Sequence, residues 1–419
     1  MIGPRRAGRW APQDGRTLDI DFLKWRMWVA GRNTRPDVAL SVSRPSARGF
    51  KDAFGVLQAA GNNAISRDHD DAGAALGLQL EPQSENRVLR SGDLANAAWG
   101  KGGATVVAGA TAPDGVQAFG RITEGTAAGQ HYVFQNIGTL VIGDVLTITA
   151  FVRATGIGPA RHVFLTAHGE GSGVFNPATG AVVSSAGVTA SVKPWGPGVY
   201  RVRATITKTN TTGNVYIGLW DPSGNNSYTG NGVSCADVWG VQVELRGTPT
   251  SYMPTGASTA VRYADGVLLP FEPWGSQSAG TIRAVYKIPA LTAAGRDVFS
   301  ISNAAGTAQL FLRATTGANN LAWILTSAGA EVGRIEAGVA VAGQREVIAC
   351  SYGPAGLKIS RNGGSPATNG TLTTPVASPA TLYIGQQYFG LQLDGWLERL
   401  SYRPAQLADA DLQAWVNAA

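Results

Sequence analysis

Two glutamates, Glu81 and Glu85, stand four residues apart in LGLQLEPQSENRVLRSGDLANAAWGK (76–101). Paired carboxylates are the machinery of glycoside hydrolysis, and the retaining form needs them about 5–5.5 Å apart. On an extended chain this pair would be ~13 Å apart, and Pro82 between them removes the helix that could close the gap. The stretch therefore reads as a polar joint in which Glu81 caps backbone donors. RDHDD (67–71) has metal-capable groups in one local run, which suits a turn held by Asx-type hydrogen bonds. His162 and His168 in RHVFLTAH share a strand face at ~20 Å, too far for one metal ion. HGEGSG (168–173) has the spacing of neither a nucleophile elbow nor a phosphate loop. No Cys/His zinc spacing is present. These residues assemble no catalytic constellation, so a protein without enzymatic activity, metal or cofactor is expected.

Sugar recognition needs other parts. Exposed aromatic rings stack on sugar faces, and short amides and carboxylates meet the hydroxyls. LWDPSGNNSYTGNG (219–232) supplies Trp220, Asp221, Asn225, Asn226, Tyr228 and Asn231 in one loop-rich stretch. YIGQQYFG (383–390) supplies Gln386, Gln387, Tyr388 and Phe389 at a sheet edge or turn. Both are candidate carbohydrate contacts. Trp99, Trp239 and Trp396 lie within strand patterns and are expected in the core.

The elements that must position these residues are strands. Charged residues are only 15% of the chain and glycine is 55 of 419, a mixture that suits many short strands joined by tight turns. At 44% apolar, the chain can bury sizeable cores. Within 36–90, strands are expected over 38–43, 49–53, 55–59 and 76–80. From 91 to 265 about ten are expected, the clearest over 116–122, 132–135, 146–153, 162–166, 199–206, 215–219 and 238–245. In VLTITAFVRA (145–154) both alternating sets are fairly apolar, as in a central strand. From 266 to 419 strands are expected over 281–288, 297–302, 308–313, 321–326, 347–351, 357–361, 381–385 and 397–402. ISRNGG (359–364) ends in an Asn-Gly hairpin turn. LADADLQAWVNAA closes the chain as a short helix, with Asp409 as N-cap and Leu412, Trp415 and Val416 on one face. The expected fold is all-β: two jelly-roll β-sandwiches in tandem (91–265 and 266–419) after a short anchor (1–35) and a β-rich connector (36–90).

Residues 1–51 hold eleven basic and four acidic side chains, a net +7 against +6 for the whole chain, so the other 368 residues sum to −1. A basic segment on a neutral body points to docking on an acidic partner. Arg5, Arg6, Arg9, Phe22, Trp25 and Trp28 are the candidate docking residues. Phe22, Trp25 and Val29 have helical spacing, while Leu23, Trp25, Met27 and Val29 alternate, so the period is open. Cys235 and Cys350 suggest buried thiols and no disulfide framework. No apolar run approaches the 18 residues of a membrane span, and no apolar stretch follows the basic start as in a secretory signal.

Residues 38–99 resemble a segment shared by bacteriophage tail-fibre and head-spike proteins. The matching residues are Gly55-Val56-Leu57-Gln58, Arg67-Asp68-His69-Asp70, Gly77, Glu81, Asn86, Asn96 and Trp99. NRVLRSGDLANAAW (86–99) is similar to the opening strand, and VWGVQVELRGTPTSYMPTGASTAVRYAD (238–265) to the closing strand, of the carbohydrate-binding-like jelly roll of those proteins. An acidic residue near that opening helps hold a structural calcium in related sugar-binding jelly rolls; Ala95 follows Asp93-Leu94 here, a departure from that pattern that leaves a structural calcium open but unsupported by the sequence. LYIGQQYFGLQLDGWLERLSYRPAQLADADLQAW (382–415) resembles the end of laminin-G/concanavalin-like lectin domains.

The resemblance implies a virion spike or fibre of a phage or gene transfer agent, made in the bacterial cytoplasm and released by lysis. Its partners would be host envelope polysaccharide (capsule or lipopolysaccharide) and other virion proteins, met through the N-terminus. A homotrimer is implied by the resemblance alone, and neither nucleic acid nor membrane insertion is expected. The competing expectations are a capsule depolymerase and a ligand-free decoration of the particle.

Overall fold

The computed structural model describes residues 12, 14–291, 295–314, 320–370, 376–388 and 391–418. Arg5, Arg6, Arg9 and Phe389 lie outside the described residues. The fold is all-β, with two sandwiches. One is built wholly from the middle of the chain. Its first sheet runs, in spatial order, Gly100–Gly102, His131–Asn136, Asn214–Trp220, His162–Ala167, Ser172–Phe175 and Val182–Ser184. Its second runs Ala104–Thr111, Ala118–Glu124, Cys235–Glu244, Val145–Ala154, Val199–Thr207 and Thr189–Gly196. Alternation sends Leu146, Ile148, Ala150 and Val152 inward to meet Val163, Leu165, Val215, Ile217 and Leu219 of the facing sheet. Every residue of this core falls between Val88 and Val243.

The second sandwich is assembled from both ends of the chain. Its larger sheet contains Gly280–Lys287, Arg345–Gly353, Gly356–Arg361 and Gly395–Arg403 from the C-terminal part. It is joined by Leu18–Asp21, Arg26–Val29 and Arg32–Thr34 from the first segment, and by Arg67–His69 and Ala75–Leu80 from the connector. Strand Gly395–Arg403 takes its second neighbour from two N-terminal strands in succession: Gly395 to Leu397 pair with Leu80 to Leu78, and Arg399 to Tyr402 with Asp21 to Leu18. The facing seven-stranded sheet likewise ends on Ser41–Ser43. The middle sandwich is thus an insertion, entered and left through a two-stranded stem in which Ser84–Asn86 pairs with Ala260–Arg262.

This differs from the expected order of anchor, connector and two sandwiches in line. Residues 18–34 are not an arm; alternation is the period that holds, and it buries Leu18, Ile20, Phe22 and Met27 in the C-terminal core. Phe22, fully buried, is unavailable to a partner. Trp25 and Trp28 are half-buried, and the Trp25 indole N–H donates to Asp37 Oδ1 at 3.0 Å. Within 38–43, Pro36–Ala39 forms one helical turn with proline at its start, and the strand is only Ser41–Ser43. The terminal helix is Asp409–Asn417, with Ala408 rather than Asp409 at the cap. Asp409 sits inside the first turn and accepts from Lys358 Nζ at 2.6 Å. Leu412, Trp415 and Val416 pack on Ala349. At the Asn-Gly turn, Asn362 and Gly363 both have positive φ (48° and 80°), as a two-residue hairpin requires. No helix among the described residues is long and apolar enough to cross a membrane.

The joint between the sandwiches is polar and buried. Glu81 accepts from the Ser251 backbone N–H and hydroxyl, both at 2.7 Å. Arg262 Nη1 lies 3.6 Å from Glu81 and 3.7 Å from Asp265, and Arg44 donates to Asp265 at 2.5 Å. Burial alone would push the Glu81 carboxyl up; the Arg262 and Arg48 guanidiniums and the Ser251 hydrogen bonds outweigh it and hold the group down at about 2. Asn86, fully buried, donates to the Val241 and Met253 carbonyls and accepts from the Val243 N–H. Asp70 accepts from the Ala72 and Ala74 N–H groups, the turn expected in RDHDD.

Candidate functional site

The two outer faces of the middle sandwich differ. The second sheet presents Phe151, Trp195 and Trp239, and these pack with Phe119 and Tyr252 beside Leu57 of the connector hairpin. That explains the two apolar faces of VLTITAFVRA: one fills the sandwich core and the other is covered by the rest of the chain. The first sheet's outer face carries Tyr132, Phe134, Tyr216 and Trp220, all half-buried, and the buried Phe164.

Register builds this aromatic surface. Phe134 lies opposite Tyr216, Tyr132 opposite Gly218, and Gly218 opposite Phe164. On the edge strand Gly100 and Gly102 face Phe134 and Tyr132. A Cβ at Gly100 would sit 2.3 Å from the Phe134 ring, one at Gly102 2.5 Å from the Tyr132 ring, and one at Gly218 2.6 Å from the Phe164 ring. The three glycines therefore let rings lean over neighbouring strands instead of standing away from the sheet. Phe134 and Tyr216 stack at 5.7 Å and 24°, and Tyr132 meets Tyr216 edge-on at 5.2 Å. Phe164 and Trp220 meet edge-on at 6.1 Å. Amides and a histidine rim the rings. Asn136 Nδ2 donates to Asn214 Oδ1 at 2.8 Å, and exposed His168 lies against Tyr216, centroids 6.4 Å apart.

The loop after Trp220 adds polar groups at one end of this face. Asp221 and Asn225 close a tight turn: the Asp221 N–H donates to the Asn225 carbonyl at 2.9 Å, and Asp221 Oδ1 accepts from the Ser223 N–H at 3.2 Å. Asn225 is exposed and Asn226 half-buried. Tyr228 differs from the expectation of an open platform. Its hydroxyl donates to Glu124 Oε2 at 2.9 Å, its ring packs on His131 at 4.7 Å, and the Arg161 guanidinium covers it at 4.9 Å. Burial, with the Glu124 carboxylate beside it, raises its hydroxyl well above the usual phenol range. Tyr228 is a strut of the loop, held with Arg161, whose guanidinium grips Glu124 at 2.7 and 3.1 Å.

Gln386 and Tyr388 belong to the other sandwich. Gln386 is buried in a bridge to Gln392, whose amide donates to Gln386 Oε1 at 2.8 Å. Tyr388 packs edge-on against Tyr383 at 5.6 Å and over Gly306. Gln387 accepts from Arg313. The structure therefore gathers Trp220, Asp221, Asn225 and Asn226 at one face and leaves Gln386 and Tyr388 apart from it. Sequence reading missed Tyr132, Phe134, Tyr216 and His168. The signal was alternation: HYVFQN places Tyr132 and Phe134 on the side opposite Val133, and NVYIGLW places Tyr216, Gly218 and Trp220 opposite Val215, Ile217 and Leu219. Among the described residues no group of three or more His, Cys, Asp or Glu side chains is placed to hold a metal ion.

No family model and no curated protein matches the chain. Among solved structures it is similar to the CBM40 of the Ruminococcus gnavus IT-sialidase bound to α2,6-sialyllactose, at 19% identity over 33% of this chain and 83% of that one, TM-score 0.29. It is similar to domain 4 of AbnA, a GH43 extracellular arabinanase from Geobacillus stearothermophilus, in complex with arabinotriose: 16% identity, 41% and 82% of the two chains, TM-score 0.31. It is also similar to domains LG4-5 of the mouse laminin α1 chain, at 13% identity over 70% and 92%, TM-score 0.23. The assignment of two β-sandwiches rests on the sheets and cores described above.

Proposed function

We propose that the protein binds glycan, and that the aromatic outer face of the middle sandwich, with the Trp220 loop at its end, is the contact surface. The observation that carries this reading is the set of half-buried Tyr132, Phe134, Tyr216 and Trp220 side chains on a sheet face that no other part of the described chain covers, rimmed by Asn136, Asn214 and His168. Pyranose rings present apolar C–H faces ringed by hydroxyls, which match such a surface. Within this reading, the resemblance of residues 38–99 favours a spike or fibre on the surface of a phage or gene transfer agent, adsorbing to capsule or lipopolysaccharide of the host. The chain acts as a binder and not as a depolymerase: Glu81 is committed to Ser251 and Arg262, and Glu85 lies 3.3 Å from Arg87.

The test is affinity for host polysaccharide with single ring removals. Tyr216→Ala and Trp220→Ala are each expected to weaken binding by more than ~1 kcal/mol, the scale of one aromatic contact, with the melting temperature of the fold retained. Unchanged affinity in both variants would remove this face from the site. New reducing ends or falling viscosity on incubation with the polysaccharide would instead establish the depolymerase reading.

A further inference from the structure

A cleft of about 190 Å³ lies where the two sandwiches meet. The outer face of the middle sandwich's second sheet forms one wall, through Lys193, Trp195, Arg201 and Arg203; Trp396 of the C-terminal sandwich stands in the other. Two features of this wall cost stability. Lys193 and Arg201 are directly opposed across the antiparallel pair, with Arg203 opposite Ser191, and like charges in that position repel. None of the three forms an ion pair within 4 Å among the described residues, although other cationic side chains of the joint do. Arg201 donates to the Thr250 carbonyl and the Thr149 hydroxyl, while its Nε has no partner. Arg203 donates to the Thr205 hydroxyl and the Gly247 carbonyl.

Lys193 Nζ lies 5.9 Å from the Trp195 ring and 5.8 Å from the Trp396 ring, so one ammonium bridges indoles of both sandwiches. Trp195 is 7% exposed, and its indole N–H has no partner among the described residues. The single carboxylate in the lining, Asp68, is engaged: it accepts from the Lys51 N–H at 2.8 Å and the Trp396 indole N–H at 3.3 Å. Lys51 in turn pairs with Asp71. What remains is an excess of positive charge beside the half-buried Trp396 ring: Asp68, with Asp71, Glu81 and Glu244 beyond the lining, attracts Lys193 and Arg201 through space, and none of these acids pairs with them directly.

We propose that this cleft binds an anionic sugar residue, its carboxylate or sulfate seated among Lys193, Arg201 and Arg203 and its ring against Trp396. The volume is below the roughly 300–1,000 Å³ of drug-sized sites, so the cleft takes one charged ring and not an oligomer. This rests on the glycan-binding reading and narrows it to acidic polysaccharide, read at a second position remote in the fold from the aromatic face. Because the walls come from both sandwiches, an occupied cleft also cross-links them.

Titration calorimetry on the full chain with glucuronate, glucose and inorganic sulfate tests it. Glucuronate is expected to bind saturably, with affinity falling as salt rises, more tightly than either glucose or sulfate. Lys193, exposed at the mouth, can be changed without opening a core. Lys193→Glu is expected to weaken glucuronate by roughly tenfold or more, the scale of a lost charge-assisted hydrogen bond, and Lys193→Arg to retain it. Glucuronate affinity unchanged in Lys193→Glu would overturn the proposal, as would sulfate binding as tightly as glucuronate, which would make the cleft a site for a free anion. The aromatic face is tested separately. Tyr216→Ala is expected to lose neutral glycan while keeping the Lys193-dependent glucuronate signal, so failure of one site is distinguishable from failure of the other.

Discussion

At the scale of single residues, the acid pair that could have been catalytic resolves into one buried anion and one surface side chain. Glu81 is 2% exposed and held between Ser251 and Arg262, whereas Glu85 is half-buried on the stem and lies near Arg87. A carboxyl held down at about 2 when folded, against 4.5 when free, stabilises the fold fully above pH ~4.5, and that contribution is lost as pH falls toward 2. Glu81→Gln is therefore expected to lower the neutral-pH melting temperature and to flatten the acid limb of the stability curve between pH 4.5 and 2. Parallel curves for the two proteins would show that the charge does not carry the joint. This role was partly legible in the sequence: Pro82 forbids a helical pairing of the two acids, and a lone acid before a proline suits a capping site. Its partners were not legible, because Ser251 and Arg262 lie 170 and 181 positions downstream and no local pattern links them.

At the scale of elements, strand spacing was the strongest signal and the first segment the weakest. Val145–Ala154, Val199–Thr207 and Gly395–Arg403 lie within two residues of where alternation placed them, because one face of each meets a core. In DIDFLKWRMWVAG the alternation was present but competed with a helical spacing. The turn from Phe22 to Trp25, with Trp25 at φ 54°, breaks the run into two short strands whose core contacts are some 380 residues away. The buried Asp19 fixes this hairpin. It accepts from Arg399 at 2.9 and 2.6 Å, from the Ser401 hydroxyl at 2.6 Å and from Arg16 at 2.6 Å. Asp19→Ala leaves those donors without their acceptor and is expected to destabilise the C-terminal sandwich by roughly 3–5 kcal/mol, measured by urea unfolding. A loss under ~1 kcal/mol would mean that water replaces the carboxylate freely. A deletion through residue 35 removes this hairpin along with any docking residues, so it unfolds a sheet as well as testing an anchor.

At the scale of the whole molecule, insertion is what the sequence concealed. Each half of the C-terminal sandwich reads as ordinary strands, and nothing local records that 84–86 and 260–262 pair. Chain order suggested tandem units; core membership shows otherwise. The C-terminal core draws Leu18, Ile20, Phe22, Met27, Leu40, Leu78 and Leu80 from before the middle sandwich, and the middle core draws on nothing outside 88–243. The two units should therefore behave unequally when cut. Residues 83–263 expressed alone are expected to melt cooperatively and to keep neutral-glycan binding at the aromatic face, since its rings, glycines and rim all lie within them. Residues 266–419 alone keep Gly280–Lys287 beside Gly395–Arg403 but lack the two N-terminal strands that pair along its other side, leaving that strand as a bare edge over an unfilled core, the condition that favours aggregation. They are expected to be insoluble. Joining residues 14–82 to 264–419 by a short flexible linker across the stem, where Ser84 and Arg262 are direct partners, is expected to restore a soluble fold. It should melt below the full chain, because Leu57 and the Arg44–Arg48–Asp265 cluster lose their cover. A soluble, cooperatively melting 266–419 fragment would show that the N-terminal strands decorate the sandwich without completing it.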